Sequence, residues 1–471
     1  MNKIFGRSRV ALLVLGLLIS TGLETNAQDW GGVGGGRHEG TAPPPKDLSG
    51  GAAGSTAKRT SVKRPVSRRV KKPSGRTSTQ QTPAGSADAV VDQGDDLLDA
   101  GKYSEAVTVF QKAIRLDPNS DDAYYGLGYA YRYLSKYPDS ITALSQAIRI
   151  NQSHVDARFQ LGWVYNETER YDDAIAVLLP TVRIKPDYAE CYNELGYAYR
   201  KQTRNSEAVN AYKQAIAHRP GFGLALFGLG DTYYYNTKQY DLAVDTYQQA
   251  LAVDADNATA YYNLGWSYNE RGEYAKAVAA LNQSLRLKPD QASAYNELGY
   301  ASHKLGRTTQ AREAYRQAVR LDPDYSLAYV GLADTYYEEK QYALSIEPYS
   351  QALRIDSSNL KVLHNLGYAY NDEGKYVEAL TVLRQAVQLK PEYVEAHLEL
   401  GYALFKLNRI NEAISSYTRA IGFREDYALA HYYLGQAYVV AGNRNGAIEE
   451  YRILQQLKSE YADKLNEYMN R

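Results

Sequence analysis

From about Ala87 to Tyr461 the chain repeats one pattern every 34 residues: Leu-Gly, a Tyr three residues on, and an Ala nine residues after that. A fixed period of this length restricts the chain to a stack of like units before any other reading is made. The landmark glycines are Gly94, Gly128, Gly162, Gly196, Gly230, Gly265, Gly299, Gly367, Gly401 and Gly435, with Ala333 in the remaining place. The step from Gly230 to Gly265 is 35, which puts one extra residue in the turn between Tyr235 and Tyr240. Eleven units fill 375 residues.

Twelve residues past the landmark lies Ala106, Ala174, Ala208, Ala277, Ala311, Ala379, Ala413 or Ala447, with Ala243 displaced by the extra residue and Ser140 and Ser345 as substitutes. Small residues there let two helices approach closely. Three past the landmark comes Tyr131, Tyr165, Tyr199, Tyr233, Tyr268, Tyr336, Tyr370 or Tyr438, on the helical face of the preceding Leu. Pro118, Pro186, Pro220, Pro289, Pro323 and Pro391 close their units, because a residue without an amide donor ends a helix. Each unit reads as helix, turn, helix.

The motif Asn263-Leu264-Gly265-Trp266-Ser267-Tyr268, followed by Gly272, Tyr274, Ala277 and Pro289, resembles the consensus of the tetratricopeptide repeat family. The resemblance covers roughly four fifths of the chain and implies a right-handed, all-α solenoid of about eleven helix-turn-helix units. Units one, ten and eleven fit less well: Leu97 and Leu404 replace the Tyr, and the last unit lacks its mid-unit Tyr and terminal Pro. Weak matches at the ends suit caps, whose outer faces meet water. All 45 Tyr fall in the array or its end, the first being Tyr103, and most serve as ridges between helices. Pro180 and Pro348 fall inside second helices, where kinks are expected. They either re-aim the superhelix or are tolerated on an exposed face, whereas Pro138 is placed to begin a helix.

Residues 1–27 read as a secretory signal peptide. Met1 to Arg9 carries three basic residues and no acid, Val10 to Leu23 is mostly apolar, and Thr25-Asn26-Ala27 offers small residues for cleavage after Ala27. The apolar run falls short of the roughly 20 residues of a spanning helix. The expected location is periplasmic or secreted, with an uncleaved N-terminal membrane anchor as the alternative. Residues 28–86 are rich in Gly, Ser, Thr, Pro and Ala, a composition that cannot bury a core and predicts a disordered linker. Within it Lys58, Arg59, Lys63, Arg64, Arg68, Arg69, Lys71, Lys72 and Arg76 form a basic block. Fourteen basic and four acidic residues precede Asp88, so a net charge of zero conceals an array near −10. The block either holds to an anionic envelope polymer, lipid head groups or nucleic acid through charge, or is a solvated linker that folds over its own array. It lacks interleaved aromatics, which argues against nucleic acid. Residues 87–461 form the array and 462–471 a C-terminal helical extension.

His38, His154, His218, His303, His364, His397 and His431 are scattered singly, with no metal-binding spacing. No phosphate-cradling loop or nucleophile elbow is present. No catalytic group, cofactor or metal is expected, and the reading is of a non-enzyme. Cys191 is the only cysteine, so an intrachain disulfide is impossible; it is either a packed small residue or a thiol that pairs with another chain.

The resemblance further implies that first helices line a concave groove, with the residues one and four past the landmark facing inward. Those seats hold Trp163 and Asn166, Tyr197 and Arg200, Asp231 and Tyr234, Trp266 and Asn269, Tyr300 and His303, Asp334 and Tyr337, Tyr368 and Asn371, and Tyr402. Glu167, Glu270 and Asp372, then Lys201, Lys304 and Lys406, follow them at the next residue. The set recurs every 102 or 103 residues, so three units were duplicated together. The recurrence is either plain duplication or a groove that offers one aromatic, amide and charged set repeatedly to an extended ligand. The Lys and Asn set with which family members grip a C-terminal carboxylate is not reproduced. These residues predict a scaffold for protein or peptide segments; binding of an envelope glycan is the alternative.

Overall fold

The computed structural model describes residues 86–471; the predicted signal peptide and basic linker lie outside the described residues. The described chain is an all-α solenoid with no strand. Each unit is a first helix of about 13 residues, a three-residue turn, and a second helix of about 14, as in Ala189–Lys201 followed by Asn205–His218. First helices of neighbouring units touch one another, as Leu360–Asp372 touches Val394–Lys406, and no pair of second helices packs to a comparable extent. The first helices therefore line the tighter, inner side of the stack.

The landmark glycine exists because a second helix presses on it. A Cβ at Gly162 would sit 2.4 Å from Leu178, and at Gly401 2.5 Å from the Tyr417 ring, each sixteen residues on. The small residues twelve past the landmark are fully buried, and Ser140 returns its hydroxyl to the Gly128 carbonyl at 2.7 Å. That sixteenth residue also meets the next unit, two residues before its landmark, and the pairing is complementary in size. Phe110, Tyr212 and Tyr315 press on Gly126, Gly228 and Gly331, where a Cβ would come within 2.6 Å of each ring. Where the sixteenth residue is Leu178, Leu281 or Leu383, the facing seat holds Glu194, Glu297 or Glu399. Tyr247 and Tyr349 instead meet Asn263 and Asn365, whose amides donate to the phenol oxygens at 3.3 and 3.0 Å. The three-unit period is thus built into the core as well as the inner face.

Some first helices begin at side-chain caps: Ser86, Ser120, Asn257 and Asn359 accept an amide N–H three residues on, whereas others, such as Ala189–Lys201 and Val394–Lys406, have no such cap. Each first helix ends in a left-handed residue, among them Gly101, Ser135, Glu169, Thr203, Gly272, Lys340 and Asn408. The following amide then reaches back five residues, as Arg204 N–H does to Tyr199 O at 2.9 Å.

Three expectations change. The extra residue of unit five does not lengthen the turn. Gly223–Asp231 runs into a π-helical segment, Thr232–Asn236, and three residues still precede Tyr240–Val253. A π turn absorbs one residue without lengthening the connection. Pro180 and Pro348 lie inside uninterrupted 14-residue helices, and Pro348 is buried, so exposure does not explain its tolerance. Cys191 is fully buried against the Leu178 carbonyl and burial pushes its thiol pKa up, which removes it from pairing with another chain in the folded state.

At the end of the array the helix Tyr461–Met469 packs on both helices of unit eleven. Leu465 presses on Gly435, where a Cβ would lie 2.4 Å away, doing for the last unit what the sixteenth residue does elsewhere. The remaining exposed apolar atoms are mostly on second helices, such as Leu116, Leu344 and Val377. No helix among the described residues is long and apolar enough to cross a membrane.

Candidate functional site

The inner face is built from the residues four past each landmark, and most of them are spent on the next unit. Asn166 donates to the carbonyl and to Oε2 of Glu194 at 3.0 and 2.9 Å. Asn269 does the same to Glu297 at 3.2 and 2.9 Å, and Asn371 to Glu399 at 3.0 and 2.8 Å. Arg132 reaches Gln160 Oε1 at 2.8 Å over the same 28-residue offset. These amides are buried joints between units, while each Asn Oδ1 is left without a protein partner. The glutamates that receive them recur with the same 102- or 103-residue period, two residues before the landmark glycine, but they were not read as candidates from the sequence. That period, together with the constant offset of 28 residues from a repeated Asn, was the signal that could have found them.

Trp163 is buried under the Arg132 guanidinium, 3.7 Å from the ring centroid. Trp266 is buried against Tyr234 and Tyr262 at 5.5 and 5.8 Å. Neither indole N–H has a protein partner. Asp231 accepts from the Tyr247 hydroxyl at 2.8 Å and from Asn263 at 3.1 Å, with Arg200 at 4.0 Å completing a buried pair. In the next block Asp334 accepts from the Tyr349 hydroxyl and from Lys361 at 2.9 Å. Burial, then the adjacent aspartate, raises both phenols well above the ordinary tyrosine range. These groups hold the array together and are closed to a ligand in the state described.

The seats that keep solvent access cluster in units seven to ten: Tyr300, His303, Tyr337, Tyr368 and Tyr402 are half-buried. His303 pairs with Glu338 at 2.9 Å. Lys304 and Lys406 lie 5.6 and 5.2 Å over Tyr300 and Tyr402, as Lys201 lies over the buried Tyr197 at 5.6 Å. Tyr337, Tyr342 and Tyr368 form an edge-to-face triad with centroids 5.2–5.7 Å apart. Of the fifteen residues read from the sequence, Trp163, Asn166, Tyr197, Arg200, Asp231, Tyr234, Trp266, Asn269, Asp334 and Asn371 are buried. What remains accessible is aromatic with flanking cations, suited to burying a side chain, to accepting from a backbone N–H and to donating to a backbone carbonyl or a carboxylate.

Two other clusters hold little chemistry. Asp121, Asp122 and His154 approach one another. However, His154 Nδ1 accepts the Ala157 N–H as a helix cap, so the nitrogen facing Asp122 carries the hydrogen and is unsuited to a metal. A shallow cavity of about 210 Å³ opens beside Val387, Pro391, His397, Arg419 and Phe423, without a nucleophile or paired acid and base.

Sequence profiles described as TPR repeat match residues 94–132, 367–408 and 401–442. Profiles described as tetratricopeptide repeat match 128–189, 232–292, 262–326, 296–359 and 189–222. The chain belongs to the tetratricopeptide repeat family. Among solved structures, MamA is 25% identical, with 36% of this chain aligned to 97% of that one and a TM-score of 0.34. The pilF protein of Pseudomonas aeruginosa is 22% identical over 47% of this chain and 97% of its own, with a TM-score of 0.39. Yeast Tom70 is 14% identical over 81% and 93%, with a TM-score of 0.33. A search of curated proteins finds no match.

Proposed function

We propose that the chain is a non-enzymatic scaffold that holds protein or peptide segments along the inner face of its first helices, and that it is exported to work in the cell envelope. The observation that carries the binding role is the run of half-buried rings and flanking cations on successive first helices of units seven to ten. A tyrosine presented this way offers contact area at small conformational cost and a hydroxyl for a backbone amide. Export rests on the N-terminal sequence alone: a basic start, a short apolar run, and small residues before Gln28.

The test is capture from an envelope extract by residues 28–471, with Tyr300→Ala and Tyr402→Ala together as the control. Both residues are partly exposed, so the variant keeps its core. Discrete proteins retained by the parent and lost by the variant support the scaffold. Retention of cell-wall polymer in their place would move the function to glycan binding. Equal retention by both chains would remove the inner face from the account. For localisation, a mature N-terminus at Gln28 in an envelope fraction supports export; an intact Met1 in the cytosol refutes it.

A further inference from the structure

The three Asn-to-Glu joints differ in one respect. In units four and seven a second amide serves the carboxylate: Asn193 donates to Glu194 Oε1 at 3.3 Å, and Asn296 to Glu297 Oε1 at 3.4 Å. In unit ten that residue is Leu398, and Glu399 keeps only the bond from Asn371 to Oε2. The Glu399 side chain is nonetheless buried. Asn371 Oδ1, on the same amide, is a buried acceptor without a donor.

We propose that Glu399 binds a proton in the folded array and makes the joint between units nine and ten sensitive to pH. A carboxylic acid and a carboxamide pair through two hydrogen bonds. Oε2 goes on accepting the Asn371 N–H, and the added O–H is a donor of the kind Asn371 Oδ1 lacks. The groups that face Glu399 supply no countercharge. Tyr368 and Asp372 come from the first helix of unit nine, and Tyr337 and Tyr342 from unit eight. Tyr402 lies on its own helix, Tyr417 on the second helix of unit ten, and Tyr427 and Tyr433 in unit eleven. None is a cation, and Asp372 opposes ionisation.

Burial pushes the carboxyl up to about 7, against an ordinary glutamate near 4.3. Because the folded pKa lies above the unfolded one, this stability is complete below about pH 4.3 and is lost as pH rises through about 7. The consequence is a scaffold whose C-terminal units, next to its accessible rings, loosen as the surroundings go from acidic to neutral.

The test is amide hydrogen exchange on the full-length chain at pH 5 and pH 8.5, corrected for the intrinsic rate. Protection across residues 360–423 is expected to fall at least about tenfold between the two conditions, relative to units four and seven. Glu399→Gln, which mimics the protonated side chain, should hold its protection at both values. Leu398→Asn, which restores the second amide, should flatten the fall and stands in should the first variant fail to fold. Wild-type protection that does not change with pH overturns the proposal, and so does a fall that persists in both variants.

Discussion

A few atoms at two kinds of residue set the spacing of this array. Gly401 has no room for a side chain, since its Cβ would meet Tyr417 at 2.5 Å. Gly401→Ala should cost about 1–3 kcal/mol through forced repacking, read as a lower urea midpoint for the C-terminal units. Asn269 is the other kind. Asn269→Leu removes the amide that the Glu297 carbonyl and Oε2 accept, leaving the carboxylate only the Asn296 amide at Oε1, and should cost about 1–3 kcal/mol. An Asn269→Leu chain as stable as its parent would mean that the joint is idle. The glycines were legible because their period is strict. The role of Asn269 was not: its partner lies 28 residues away, and the repeat suggests a ligand-facing seat as readily as a link between units. Burial separates the two, and it assigns Asn166, Asn269 and Asn371 to the joints.

At the scale of the helix pair, the prolines marked ends where the structure has them, whereas the Ser and Asn caps went unread because the same seat also holds His154, Tyr188, Phe222 and Gln291. The left-handed turn residue was harder to see because only five of its eleven seats are glycine, Gly101, Gly272, Gly306, Gly374 and Gly442, and the others are Ser135, Glu169, Thr203, Lys238, Lys340 and Asn408. An L side chain at such a φ carries strain that glycine avoids. Lys340→Gly should therefore raise stability by about 0.5 kcal/mol, after the greater freedom of glycine in the unfolded chain is set against the relief. A small increase in melting temperature would register it; a decrease would show that the lysine makes contacts that outweigh its strain. The π turn at Thr232–Asn236 shows the limit of counting residues. A 35-residue step says that one residue is extra, but helix and turn can both absorb it. The buried Tyr233 and Tyr234 keep the added residue within a helical run.

On the scale of the array, the 102- or 103-residue repeat organises both the core and the inner face, yet it does not make the blocks equal. Tyr197 is buried whereas its counterparts Tyr300 and Tyr402 are half-buried, and Arg200 closes on Asp231 where His303 turns outward to Glu338. The sequence showed three similar sets; the structure buries the first and leaves only Tyr300, His303, Tyr337, Tyr368 and Tyr402 of the later ones accessible. Tyr300→Ala with Tyr402→Ala should lower affinity for a bound segment by about 1–3 kcal/mol, as truncated interface anchors do, with helicity unchanged by circular dichroism.

Protein segments held on the inner face of units seven to ten should be within reach of a photo-activated crosslinking residue placed at Tyr300, Tyr368 or Tyr402 in living cells. The same residue at Leu344 and Val377, exposed on second helices, serves as the comparison. Discrete protein adducts are expected from the three inner positions and none from the two outer ones. Adducts from the outer positions, with none from the inner, would contradict that placement.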